Sequence, residues 1–253
     1  MAFRLTALAA AAFLVAASPA GAQFASDQDR REAMSHYQAG QELMSAEQFE
    51  RAAEAFQKAI DKDRFLTLAH YGQGQAYMAL KRFASAIQSY TNCLEAHREL
   101  HRLQEVDRVR VERQREDEIR ELRDSVRRLR SGQMKRVSPT EADRLENRID
   151  DLERQRTSLN AAFQPPAEVS LALGSAYFRN GQAAEAEHHW KAAVQANPSF
   201  GEAYNNLAVI HFLTGRLPEA RGYMEQARDK GFRVDPRFEK DLRSAEQKAR
   251  ASR

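Results

Sequence analysis

The residues best equipped for chemistry in this chain are its seven histidines and its single cysteine. Cys93, His97 and His101 recur every four residues, so a helix would carry all three on one side. Thiolate and imidazole are the ligands zinc prefers, and neighbours four apart can share an ion. The outer two, however, would stand ~12 Å apart along the axis. Three ligands cannot reach one metal across that gap. His97 and His101 could supply two ligands at most, with no third evident nearby. His188 and His189 are adjacent and would point in different directions from a helix. Solvated helix histidines are the simpler reading, and no metal or other cofactor is expected. No nucleophile-base-acid motif, phosphate-cradling loop or dinucleotide fingerprint occurs. The sequence therefore gives catalysis no support, and a protein that is not an enzyme is expected.

One cysteine excludes an intramolecular disulfide. In an oxidising compartment it is either a buried, inert thiol or half of an intermolecular bridge. The N-terminus bears on the compartment. Arg4 precedes the apolar run Leu5 to Ala17, and Ala20-Gly21-Ala22 offers small residues for cleavage. This pattern predicts a secretory signal over 1–22 and a mature start near Gln23. The apolar run is shorter than the ~20 residues that span a bilayer. A bacterial envelope protein, in the periplasm, is the expected setting. The full chain has formal net charge +3, and loss of Arg4 lowers it further. That is too weak to suggest nucleic acid as a partner.

The elements that position these residues can be read from what is scarce. The 253 residues include 11 Gly and 7 Pro, where average usage would supply about 18 and 13. An all-β sandwich or barrel needs a turn every ~8–12 residues and could not be built from so few. No Gly or Pro lies between Gly74 and Gly132. An all-α fold follows.

Within it a unit recurs every 34 residues. Gly40 and Gly74, Leu43 and Tyr77, Phe49 and Phe83, Ala52 and Ala86, Phe56 and Tyr90 are all so spaced. The same template returns at 167–200 and 201–234, with Gly174 matching Ala208, Tyr177 matching His211, Ala186 matching Ala220 and Ala193 matching Ala227. The small residue, the aromatic three later, the Ala twelve later and the aromatic four beyond that resemble the tetratricopeptide repeat family. The third unit matches best, through Leu173-Gly174, Tyr177, Ala186, Trp190, Ala193 and Pro198. The usual Trp of the first helix is replaced by His36, His70, Ser170 and Tyr204, and the closing Pro by Arg64 and Arg98. Met224 stands where the fourth unit should carry an aromatic. The resemblance implies a solenoid of about four helical hairpins, two over 33–100 and two over 167–234. Cys93 takes the place of Ala59, Ala193 and Ala227, which favours a buried thiol. Over 235–253, Pro236, Phe238, Leu242 and Ala245 predict a helix that caps the array and its tail.

Residues 101–166 separate the two repeat pairs. Within 101–160 stand 16 Lys/Arg and 14 Asp/Glu, the composition of a charged linker. The apolar spacing argues for structure instead. Ile119, Leu122, Val126 and Leu129, then Leu145, Ile149, Leu152, Arg156, Leu159 and Phe163, step by threes and fours. That is a heptad seam, and it predicts a long antiparallel coiled-coil hairpin interrupting the solenoid. Its loop falls near 132–138, before Ser138-Pro139-Thr140-Glu141. The expected pairs are Val126 with Leu145, Leu122 with Ile149, Ile119 with Leu152 and Val111 with Leu159. One helix would run from about Ala84 to Ser131. Either the third repeat stacks on the second beside a lateral spike, or the spike holds the repeat pairs apart.

In the resembled family the first helix of each unit lines a ligand groove. The matching positions are Met34, Tyr37, Gln41, Met44, Leu68, Tyr71, Gln75, Met78, Leu171, Ser175, Phe178, Asn205, Val209 and Phe212. This apolar, Met-rich wall lacks the Lys/Arg cluster that such repeats use to hold peptide carboxylates. It implies another protein or peptide as partner, unless these side chains only pack on the next repeat. A second candidate is the hairpin tip, where Arg127, Arg128, Arg130, Lys135 and Arg136 cluster without an intervening acid. It could meet an anionic surface, or be a solvated loop. The functions these features imply are an envelope interaction scaffold, a self-associating coiled-coil protein, or a polyanion- or membrane-surface binder.

Overall fold

The computed structural model describes residues 24–131, 139–154 and 163–251. The signal predicted over 1–22, the loop at 132–138, and Arg156 and Leu159 lie outside these residues. Among the described residues no helix is long and apolar enough to cross a membrane.

The described chain folds as α1 (Asp27–Ser45), α2 (Phe49–Lys62), α3 (Thr67–Ala79), α4 (Phe83–Arg130), α5 (Pro139–Arg154), α6 (Ala167–Arg179), α7 (Ala183–Ala196), α8 (Gly201–Leu213), α9 (Leu217–Asp229) and α10 (Pro236–Ala251). Helices α1/α2, α3/α4, α6/α7 and α8/α9 pack as four hairpins, each against the next. The result is an all-helical repeat solenoid.

Close approach of small residues to aromatic rings sets each hairpin. A Cβ placed on Gly40 would meet the Phe56 ring at 2.6 Å, one on Gly74 the Tyr90 ring at 2.5 Å, and one on Gly174 the Trp190 ring at 2.6 Å. Gly72 also abuts Phe56, at 2.7 Å, so that ring is held between successive units. Alanines 52, 86, 186 and 220 are fully buried at the same repeat phase. The turn inside each hairpin needs one residue with positive φ. Gly181 (φ 81°) and Gly215 (φ 75°) supply it in the third and fourth units, while Glu47 (φ 56°) and Lys81 (φ 57°) adopt it in the first two.

Buried polar groups tie the units together. Gln73 Nε2 donates to Gln57 Oε1 (2.8 Å) and Ser89 Oγ donates to Gln73 Oε1 (2.8 Å), linking α2, α3 and α4. Trp190 Nε1 donates to the Leu171 carbonyl (3.3 Å). Cys93 is buried, and its thiol donates to the Thr67 carbonyl at 3.3 Å. Burial pushes this thiol up to about 12, which leaves almost none of the reactive thiolate near neutral pH.

Helix α4 is 48 residues long, about 72 Å at 1.5 Å per residue. Its first part is the second helix of the second hairpin, and the remainder projects away as an arm. Helix α5 packs back along that arm in the antiparallel sense. Ile119, Val126, Ile149 and Leu152 form the buried seam, with Leu122 and Leu145 against it. Arg130–Glu146 (2.7 Å), Arg148–Glu118 (3.1 Å) and Arg123–Glu153 flank the seam. The seam differs from expectation at its base. Val111 is exposed, and the buried residue beside it is Glu112, ion-paired to Arg115. The reason is phase. Counting back from Ile119 by four and seven gives Arg115 and Glu112, whereas Val111 lies eight back, on the outside.

The arm does not hold the repeat pairs apart. Helix α6 packs directly on α4, and Tyr90, Cys93 and Leu94 share one buried cluster with Val169, Leu173 and Ala176. At the far end, Leu242 and Phe238 of α10 cover Ala220, Met224 and Ala227 of α9. Met224 fills the fourth unit's aromatic place and is 3% exposed.

Candidate functional site

Helices α1, α3, α6 and α8 open the four units, and α1 also touches α3. On each, the small residue faces the hairpin partner. At 100° per residue, the second, fifth, ninth and twelfth unit positions fall together about a quarter turn away. These positions share one face of each opening helix, the stripe that the repeat resemblance expects on the inner side of the solenoid. In the first unit they are Met34, Tyr37, Gln41 and Met44, and in the second Leu68, Tyr71, Gln75 and Met78.

The fourteen expected wall residues divide by exposure. Met34, Gln41, Leu68 and Gln75 face solvent. Tyr37 and Met44 are half-buried against the Phe56 cluster, and Tyr71 and Met78 against the Tyr90 cluster. Gln41 Nε2 donates to the Tyr37 hydroxyl. Asn205 and Val209 are half-buried. One residue does not serve as open wall, and two more are half-buried as Tyr37 and Tyr71 are. Leu171 is 8% exposed and belongs to the Trp190 core, because α7 and α8 both close over it. Phe178 leans on Trp190 (centroids 5.6 Å apart), and Phe212 meets Phe238 of α10 edge-on at 5.6 Å. The Ser175 hydroxyl is bonded to the Leu171 carbonyl.

Sequence reasoning missed two members of the stripe and one residue at its edge. Glu168 and Glu202 hold, in units three and four, the phase of Met34 and Leu68. The 34-residue register identifies them directly, but a search for apolar wall residues passes over them. Leu213 adjoins Phe212 at the end of the stripe and is 59% exposed. The Tyr71 hydroxyl is held above its ordinary pKa, first by burial and then by Glu168, with Cys93 and Glu202 adding to it. Both glutamates therefore act on the patch of the stripe around Tyr71.

The tip is less basic than its sequence suggests. Arg127 pairs with Asp124 at 3.3 Å, Arg130 with Glu146 of α5, and Arg128 bonds the Ser125 hydroxyl. An acid-free interval along the chain is not acid-free in space, because α5 returns Glu146 beside it. Lys135 and Arg136 lie outside the described residues.

The histidine candidates are dispersed. Cys93 is sealed in the core, His97 is held below its ordinary pKa by burial, and His101 lies edge-on to Phe163 at 5.6 Å. His189 stacks on Tyr177 with centroids 5.2 Å apart and planes 3° apart, while His188 meets it edge-on. Among the described residues no three His, Cys, Asp or Glu are placed to hold a metal.

The fold defines a helical-repeat protein, and comparison with known proteins agrees. The tetratricopeptide repeat family profile matches residues 37–98 and 171–231, so these two segments are tetratricopeptide repeats, separated by the arm. No curated protein matches the chain. Among solved structures, MamA is similar over 81% of this chain and 80% of its own, with 15% identity and TM-score 0.51. That likeness shows the fold. PilW, a type IV pilus biogenesis factor, matches over 87% of this chain and 88% of its own, at 19% identity and TM-score 0.39. The first repeat domain of Spaghetti, bound to an HSP90 peptide, matches over 73% and 94%, at 14% identity and TM-score 0.44.

Proposed function

We propose that this protein is a non-catalytic scaffold of the bacterial cell envelope that holds a segment of another polypeptide along its inner stripe. One observation carries the reading. Six large apolar side chains stand exposed among the described residues; two of them, Met34 and Leu68, fall on that stripe, and a third, Leu213, lies at its edge. Covering them with a partner removes apolar area from water at roughly 25 cal/mol per Å². Tyr37, Tyr71, Met44 and Met78 line the floor between them, and methionine adapts to irregular partner shapes. Tetratricopeptide repeats are typically protein-interaction modules. The envelope setting is supported by Arg4, the apolar run Leu5 to Ala17 and Ala20-Gly21-Ala22.

The test places a photo-crosslinking residue at position 68 in cells. A discrete protein adduct is expected, and it should disappear when Met34 is changed to serine. Adduct formation indifferent to Met34 would count against the groove. Fractionation of the same cells should find a chain beginning near Gln23 outside the cytoplasm, and a full-length cytoplasmic chain would defeat the envelope assignment. A second reading, self-association along the arm, draws on the exposed Val106 and Val111 of α4. A monomer by light scattering at micromolar concentration would dismiss it.

A further inference from the structure

We infer that the inner groove selects a cationic polypeptide segment, seating a lysine or arginine side chain of the partner at Glu168 and Glu202, beside Tyr71. This rests on the groove reading above and adds the partner's charge.

The stripe changes character along the solenoid. In units one and two its second position is Met34 and Leu68, and in units three and four it is Glu168 and Glu202. Both glutamates are exposed, and among the described residues neither carries an ion pair or hydrogen bond. In this they differ from Glu146, Glu187, Glu239 and Glu246, each of which holds an arginine, and what sets them apart from other unpaired surface glutamates is their place on the stripe. Tyr71 lies within the field of both unpaired carboxylates. Tyr71 packs on the cluster that holds Val169, the residue after Glu168, and its ring lies 5.5 Å from that of Tyr90, so a cation entering beside it would meet two negative charges at the edge of this aromatic pair. Arg179 lies at the edge of the stripe, but three helical turns beyond Glu168, roughly 16 Å along the axis. It is therefore too distant to pair with Glu168. The occupant is thus a segment with apolar residues for Met34 and Leu68 and a basic residue for the glutamates.

Both glutamates sit in the first turn of a helix, where a carboxylate also favours the helix dipole. That role would register in stability and the groove role in affinity, and the two can be measured separately. A random twelve-residue peptide library is selected against the full chain, against Glu168→Gln/Glu202→Gln and against Met34→Ser/Leu68→Ser. Peptides enriched on the wild type should combine lysine or arginine with apolar residues. Their affinity should fall about tenfold in the double glutamine variant, as expected for two exposed ion pairs near the upper end of their range. The Glu168→Asp/Glu202→Asp variant should retain binding, and added salt should weaken it in the wild type. Enriched peptides without basic residues, or with affinity indifferent to the glutamine changes, overturn the proposal. If such peptides still lose binding in Met34→Ser/Leu68→Ser, the groove stands and only its charge preference falls. If wild type and Met34→Ser/Leu68→Ser enrich the same peptides, the groove reading falls as well. Spermine displacing those peptides at equal affinity would make the occupant a polyamine and would also overturn it.

Discussion

Arg216 grips Glu187 with both terminal nitrogens, at 3.2 Å and 2.6 Å, across the junction of the third and fourth repeats. Lys191 adds a contact at 2.7 Å, and His211 Nε2 lies 3.3 Å away. The Arg216 bond is the first cause that holds the Glu187 carboxyl down at about 2. A carboxylate depressed in the folded state contributes stability above its ordinary range and loses it as pH falls through the folded value. Arg216→Ala should therefore destabilise the chain by about 1–2 kcal/mol at pH 6, a range reduced because the guanidinium is partly solvated. The gap from wild type should narrow as pH falls from about 4.5 towards 2. Urea denaturation at several pH values checks this, and a gap independent of pH would contradict it.

Two glycines in helices should respond oppositely to alanine. A Cβ on Gly74 meets the Tyr90 ring at 2.5 Å, while one on Gly222 of α9 meets nothing within 4 Å. Gly74→Ala should cost about 1–3 kcal/mol through overpacking, outweighing its gain in helix propensity. Gly222→Ala should gain about 0.5–1 kcal/mol. Thermal melts of the two variants compare the effects, and a stabilised Gly74→Ala would show that the ring moves aside freely.

His189 makes stability fall on mild acidification. Burial, followed by the neighbouring His188, holds its pKa down at about 4. The unfolded chain binds this proton near pH 6.5 and the folded chain only near 4, so stability present above pH 6.5 is lost between those values. His189→Gln should flatten the pH dependence of unfolding in that window. A wild-type histidine resonance titrating near 6.5 at this position would contradict the assignment.

Much of the fold was legible because it is periodic. The recurrence of Gly40, Gly74 and Gly174 at one phase shows where helices must approach, and the aromatic sixteen residues later is the ring each one meets. The empty interval from Gly74 to Gly132 likewise announced the long α4. What remained hidden depends on contacts between distant residues. Glu187 and Arg216 are 29 residues apart, and neither belongs to the repeat template. Gly72 touches Phe56 from the following unit, so no pattern within one unit discloses it. At the base of the arm, side-chain type misled where phase did not. Val111 is the apolar residue, yet the heptad count turns Glu112 inward. Glu168 and Glu202 are a similar case, carrying the right phase but a charge that a search for apolar walls discards.

The unbroken run of α4 has a mechanical consequence. Its N-terminal turns are wedged between α3 and α6, while the part beyond Arg98 reaches outward for about 50 Å. The helix is unbroken between the two parts, so the arm is a lever rooted in the repeat layers. A tilt of one degree at the root sweeps the far end through roughly 1 Å. A load on the arm is thus delivered as torque at the junction of the second and third repeats, beside Tyr71.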